Sequence, residues 1–509
     1  MKIFSHICLA VAMMIMAVTA SAQTIVSNDI TSSTTWSLAG SPYILDGYIF
    51  VSNGATLTID PGVVVRGLDD DPANNVLPDG TSLGAISAPE DNVGALIIAR
   101  DGNINAVGNA QNPIIFTAVK DDLSDPADLS CEDFGLWGGL IVLGNAVVSS
   151  PEANFDSTLG FVNNTIEGVI TTNPATALLA QFGGTDDNDN SGSIVYVSIR
   201  HGGDVLTDGD EINGLTLGGV GRGTTIDFVE VLANADDGIE WFGGTVDIKH
   251  SVVTCVVDDS YDYDQGSRFR VQFAVSIGSG NRGGEHDGGD NPDDATPFGT
   301  PVFYNATYIG KPVVQGEQEI LVLRDNAGGN YQNSLFYQSQ QGIEIEYRYD
   351  RPSSYFQLFA VTNDPFLGNI VNLNIDHNTY CDVALGGGDN FFLNVVSDGF
   401  TGATQQQRAT SNANLTAASL ASGNIGTSIF RDLTCLNRTG SLDATDRDAY
   451  GFSYDLRPQG QLSAVSPFPT GGTAFFTTAN YDGAVAPSAA SGADWLAGWT
   501  ATAEYGIVQ

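Results

Sequence analysis

Short apolar runs of three to five residues recur along the chain, many of them closed by turns that contain Gly, Asn or Asp. Tyr48-Ile49-Phe50-Val51, Ala55-Thr56-Leu57-Thr58-Ile59 and Val63-Val64-Val65 are separated by Ser-Asn-Gly and Asp-Pro-Gly turns. Ala95 to Ile98, Ile104-Asn105-Ala106 and Ile114-Ile115-Phe116-Thr117 repeat the arrangement, and Leu140-Ile141-Val142-Leu143 opens another round. Such lengths, rich in β-branched and aromatic residues and bounded by turn formers, predict strands. Further along, Val229-Glu230-Val231 recurs as Val252-Val253-Thr254 and Phe273-Ala274-Val275, at steps of 23 and 21 residues. Ala306-Thr307-Tyr308 and Leu335-Phe336-Tyr337 continue the series at wider steps.

A period near 22 residues with β-rich runs predicts a solenoid. Helical repeats are longer and carry 3.6-residue stripes, and leucine-rich repeats need a Leu/Asn consensus; the chain has neither. The expectation is an all-β fold, a right-handed parallel β-helix in which stacked coils bury one apolar column. The 60 glycines fit its corners, where left-handed backbone is needed. Residues 23–400 are read as the β-helix, with projecting loops at Leu68 to Asn92 and Pro151 to Asp189 and an insertion near Gly283 to Pro297. Residues 401–509 read as irregular C-terminal coils with a short helix around Leu415 to Leu420. Trp495 and Trp499 are expected to cap the open end of the column.

Residues 1–22 read as a secretory signal peptide: Lys2, an apolar run from Ile7 to Val18, then Ala20-Ser21-Ala22. No later segment is apolar and long enough to span a bilayer. The protein is therefore expected to be secreted or cell-surface associated. Its net charge of −41, from 60 acidic against 19 basic residues, excludes nucleic acid as a partner. Beyond the signal four cysteines remain, allowing three pairings. Cys381 with Cys435 is the first choice, and Cys255 reads as a small buried hydrophobe.

The stretch Asn213 to Thr224, then Asn234-Ala235-Asp236-Asp237-Gly238-Ile239-Glu240-Trp241-Phe242-Gly243-Gly244-Thr245, then Asp258-Asp259-Ser260-Tyr261-Asp262-Tyr263-Asp264-Gln265-Gly266 is distinctive. Together with Trp495-Leu496-Ala497-Gly498-Trp499-Thr500 it resembles a family of secreted right-handed parallel β-helix proteins of Gram-negative bacteria. The resemblance covers most of residues 40–509. It implies fold and export and supplies no reaction.

The densest chemistry lies on two adjacent coils. Asp236 and Asp237 precede Asp258 and Asp259 by one period, which puts both pairs on one face; Asp262 and Asp264, two apart on a strand, share a side. Stacked carboxylates repel unless protonated, hydrogen-bonded or bridged by a cation. One reading has them accept backbone N–H groups at coil corners. A second has Asp236, Asp258, Asp259, Asp262 and Asp264 hold a structural calcium ion. A third is catalytic: polygalacturonase-like hydrolases space acids like Asp237, Asp258 and Asp259, with His286 as the nearest histidine. A lyase would use calcium and an arginine base, and Arg268, Arg270 and Arg282 are at hand, although the first two most simply pair with the Asp cluster. Asp187-x-Asp189-x-Ser191-Gly192 copies half of a calcium loop, so Asp187 and Asp189 are further metal candidates.

The function expected first is non-catalytic: binding or adhesion toward glycans, matrix or surface proteins, with structural calcium. The alternative is a hydrolase or lyase acting on acidic polysaccharides. Such an enzyme needs basic subsites, and a chain with four lysines has little to build them from.

Overall fold

The structure is a computed structural model. It describes residues 23–87, 93–149, 154–169, 173–207, 210–289, 292–310, 319–339, 342–346, 352–357, 360–364, 368–376, 378–383, 392–393, 437–440, 452–458, 475–487 and 494–508. The signal segment, the helix expected around Leu415 to Leu420 and Cys435 lie outside these residues.

The strands stack in parallel into three columns, a right-handed β-helix. Thr24–Val26, Tyr43–Leu45, Val64–Gly67 and Ile114–Ala118 open one column, and Thr34–Trp36, Thr56–Ile59 and Asn103–Val107 a second. From Gly192–Arg200 onward, single long strands serve both columns: Thr225–Leu232, Ile248–Thr254 and Arg270–Ile277 follow in register. Each bends at a left-handed residue, Tyr196, Phe228, His250 and Phe273, with φ between 52° and 63°. Side chains rarely adopt that backbone. Here their rings stack, with centroids 4.3, 4.3 and 4.9 Å apart. On later coils asparagines take over at the same corner, Asn305 (φ 54°) and Asn333 (φ 53°), where a short polar side chain tolerates the conformation.

Among the described residues the third column has ten strands, including Leu215–Gly218, Ile239–Phe242, Tyr261–Asp264, Gly284–Asp287, Leu321–Arg324 and Ile343–Ile345. Alternate residues point inward and form one continuous core, from Ile49 through Leu96, Leu140, Trp241 and Tyr263 to Ile345. Glu240 stacks on Asp262 and Asp262 on Glu285, steps of 22 and 23 residues. Register pairs Val231 with Val253, and Phe273 is a corner residue, so the recurring runs align one residue away from their first letters.

Much of the outer wall is covered by the chain itself. Phe50, Ile97, Ile141 and Leu143 lie under Ile166, Val169, Ala180 and Phe182. On the opposite side, Leu232, Val252, Val275, Ile277 and Ile309 lie under Tyr454, Leu456, Leu496, Ala501, Ile507 and Val508. This corrects the expectation of an end cap: Trp495 and Trp499 pack edge-on against Phe228, His250 and Tyr196, on the side of the coils. What the tail covers is an apolar flank shared by successive coils, from Leu232 to Tyr337.

Cys255 is buried, but it is bonded to Cys131 and so is no free hydrophobe. The bond ties the acidic loop before Phe134 to the corner after Ile248–Thr254. Among the described residues no helix is long and apolar enough to cross a membrane.

Candidate functional site: an acidic strip on the coil wall

Where the covering segments stop, the third column turns acids outward. The strand Tyr261–Asp264 shows why: Tyr261 and Tyr263 alternate into the core, so Asp262 and Asp264 must face out. In-register stacking then aligns Thr216, Glu240, Asp262, Glu285, Val322 and Glu344 in one outward row. Just before each strand, the corner residues form a second row. Asn213 accepts the Asp237 N–H, Asp237 Oδ1 accepts the Asp259 N–H at 2.8 Å, and Asp259 Oδ1 accepts the Arg282 N–H. Asp237 and Asp259 thus each use one oxygen to tie their coil to the next.

Two trios converge within this strip. Asp236, Asp237 and Asp258 each offer one oxygen within 4.8 Å of the other two, and so do Asp237, Glu240 and Asp262. Ligands on opposite sides of a calcium ion are about 4.8 Å apart. Asp262 Oδ1 is buried and has no hydrogen-bond partner among the described residues. Oxygen-only donors with an unused lone pair fit a hard cation. Asp264 faces outward beside them and stands outside both trios, as does Asp259.

The strip divides into two halves. Downstream, Glu285 bridges the guanidiniums of Arg282 and Arg324, Arg324 binds Asp287 at 2.8 Å, and Arg282 lies 3.6 Å from Asp259 and 3.8 Å from Glu319. Upstream, no Lys or Arg among the described residues pairs with Asp236, Asp237, Glu240, Asp258 or Asp262. Burial, reinforced by like charges, pushes the carboxyls of Asp237, Glu240 and Asp262 well above the usual carboxylate range. The same causes push Asp236 up to about 8.

The remaining candidates lie elsewhere. His286 stacks in register with Tyr263, so it points into the core, between Tyr263 and Tyr331, whose hydroxyl lies 2.8 Å from Nδ1. Burial lowers its pKa to about 3. Gly284–Asp287 is a rung of the column, and not part of an insertion, which is why this histidine is turned away from the acids. Asp187 is gripped by Arg268 through both oxygens, at 2.7 and 2.9 Å, so the half calcium loop already holds a guanidinium. Asp189 accepts from Asn145 and Ser191. Arg270 binds Asp247, so neither of these arginines joins the acidic strip as expected. Glu240, Glu285 and Arg324 were missed, although Glu240 precedes Asp262 by the same period that aligned the aspartates.

A carboxyl whose folded-state pKa is raised keeps a proton that the unfolded chain releases near pH 4. Stability from such groups is intact below that pH and falls as pH rises through the folded values. In EDTA the urea midpoint should therefore fall between pH 5 and 8.5; a flat profile would exclude this electrostatic picture.

Residues 28–415, about three quarters of the chain, match the family model of the pectate-lyase-like beta-helix domain. No curated protein and no solved structure matches.

Proposed function

The chain belongs to the pectate-lyase-like beta-helix family, and from that premise we propose a secreted or cell-surface protein that binds glycans through a cation held on its acidic strip. The observation that carries this reading is the upstream half, unneutralised among the described residues: five carboxylates over two successive coils, converging in two trios, with a buried Asp262 oxygen that has no partner among those residues. Calcium matches oxygen-only donors of this kind, and sugar hydroxyls or carboxylates would complete its shell. Asp237, Glu240 and Asp262 would hold one ion, and Asp236 and Asp258 extend the site toward solvent. Export is supported by the signal-like segment Lys2 to Ala22 and by the Cys131–Cys255 bond, which suits an oxidising compartment.

A second reading is polysaccharide cleavage. It is favoured by Asp236, a carboxyl raised to about 8 beside Asp258, since paired acids with different environments can divide acid and base roles. Against it stands the lack of any basic side chain in the upstream half among the described residues.

One experiment separates the two. In residues 23–509 at pH 8, calcium should raise the melting temperature by several degrees, about 2.7 kcal/mol at one hundred times Kd. Glycan-array binding should vanish in EDTA and in Glu240→Gln/Asp262→Asn. No thermal shift would sink the cation. Release of reducing ends from pectin or alginate, lost in Asp258→Asn, would replace binding with catalysis.

A further inference from the structure

A cavity of about 570 Å³ that shares no lining residue with the acidic strip lies between the C-terminal tail and the coil wall. That volume suits a small molecule. Pro113, Ile115, Leu123, Trp499 and Val508 give it apolar sides, and Arg200 lines it with a side chain only 4% exposed. Outward alternation on Gly192–Arg200 puts Arg200 there, two residues beyond Ser198.

Arg200 is under-used for a buried cation. A guanidinium has five N–H donors. Nε donates to Ser198 Oγ at 2.8 Å, while among the described residues its terminal nitrogens have only Glu504, 3.6 Å away, beyond hydrogen-bond reach. Glu504 is itself 42% exposed and sits on the four-residue helix Ala501–Glu504. The other acid of the lining, Asp494, is turned to its own backbone and accepts the N–H groups of Leu496 and Ala497. A buried charge with open donors, set in apolar walls, matches a ligand with one anionic head and an apolar body.

We infer that this cavity is a binding site for a small amphiphilic anion, a carboxylate on an apolar body, whose head takes the place of Glu504 on Arg200. The site is independent of the acidic strip and of the function proposed for it.

Dodecanoate, below its micellar concentration and in EDTA, is the probe, titrated calorimetrically into the full chain. Binding at a single site is expected, at least ~10-fold weaker in Arg200→Met, because a charge-assisted bond is lost. Glu504→Gln removes a competing carboxylate at an exposed position and should tighten binding severalfold, while Leu123→Trp narrows the cavity and should weaken it. Dodecanol, of equal length and no charge, should bind at least ~10-fold more weakly than dodecanoate. Equal affinities for the two probes, no effect of Glu504→Gln, or no binding by the parent protein would each overturn the inference.

Discussion

Replacing Glu230 with alanine should lower stability by roughly 3–5 kcal/mol and loosen the C-terminal tail from the coil wall. Glu230 is fully buried, and its carboxylate accepts four hydrogen bonds. The Ala501 N–H donates at 2.8 Å, the Thr502 N–H at 2.7 Å, the Thr502 hydroxyl at 2.8 Å and the Ser198 hydroxyl at 2.6 Å. Alanine leaves all four buried donors without their acceptor, and each lost charge-assisted bond is worth about 1.5–3 kcal/mol before water recovers part of it. Glutamine should cost about half as much, since its oxygen still accepts while its NH2 faces N–H donors. Urea unfolding gives the magnitude, and limited proteolysis gives the place. Early cleavage within 494–508 is expected, and a tail as resistant as in the parent would refute the anchoring role.

Serine at Cys131 or Cys255 should cost a comparable amount, roughly 3–5 kcal/mol. The two cysteines are 124 residues apart, so their bond closes a long loop, and chain-entropy arguments give long loops the larger effect. The bond also secures a loop that packs against the tail, because Cys131, Phe134 and Tyr505 share one apolar cluster. Reducing agent should lower the melting temperature of the parent protein and leave Cys131→Ser unchanged. A parent protein indifferent to reductant would show that the bond contributes nothing. Combined with Glu230→Ala, the loss should fall short of the sum of the two, since a tail freed by one change has less docking energy left to lose to the other.

The repeat was legible because each coil states its own pattern. Tyr261-Asp262-Tyr263-Asp264 declares its inner and outer faces without help from any other part of the chain, and the 22-residue step from Asp237 to Asp259 aligns the corners. The acidic strip was therefore half visible. Glu240 was harder to see because it sits singly inside the apolar run Ile239-Glu240-Trp241-Phe242, although the same step carries it to Asp262. His286 was misplaced for want of one register, which only the count of residues across Gln265 to Gly284 could supply. Contacts between distant segments left fainter marks. Glu230 in an apolar run hints that something polar must meet it, but the run does not say that the partner lies at Ala501 and Thr502. The Cys131–Cys255 pairing and the grip of Arg268 on Asp187 likewise depend on how loops fold back, which periodicity does not encode.

The tail also sets a clock. The contacts that fasten it span 271 and 272 residues of chain, whereas a coil needs only the coil before it. In a protein made from its N-terminus, the rod grows rung by rung while the stripe of Leu232, Val252, Val275 and Ile277 stays bare, waiting for the last stretch to arrive. A chain cut short there would be well folded along its length and still sticky along one side. Its failure would be self-association of finished rods, with completeness of synthesis recorded in whether that stripe is hidden.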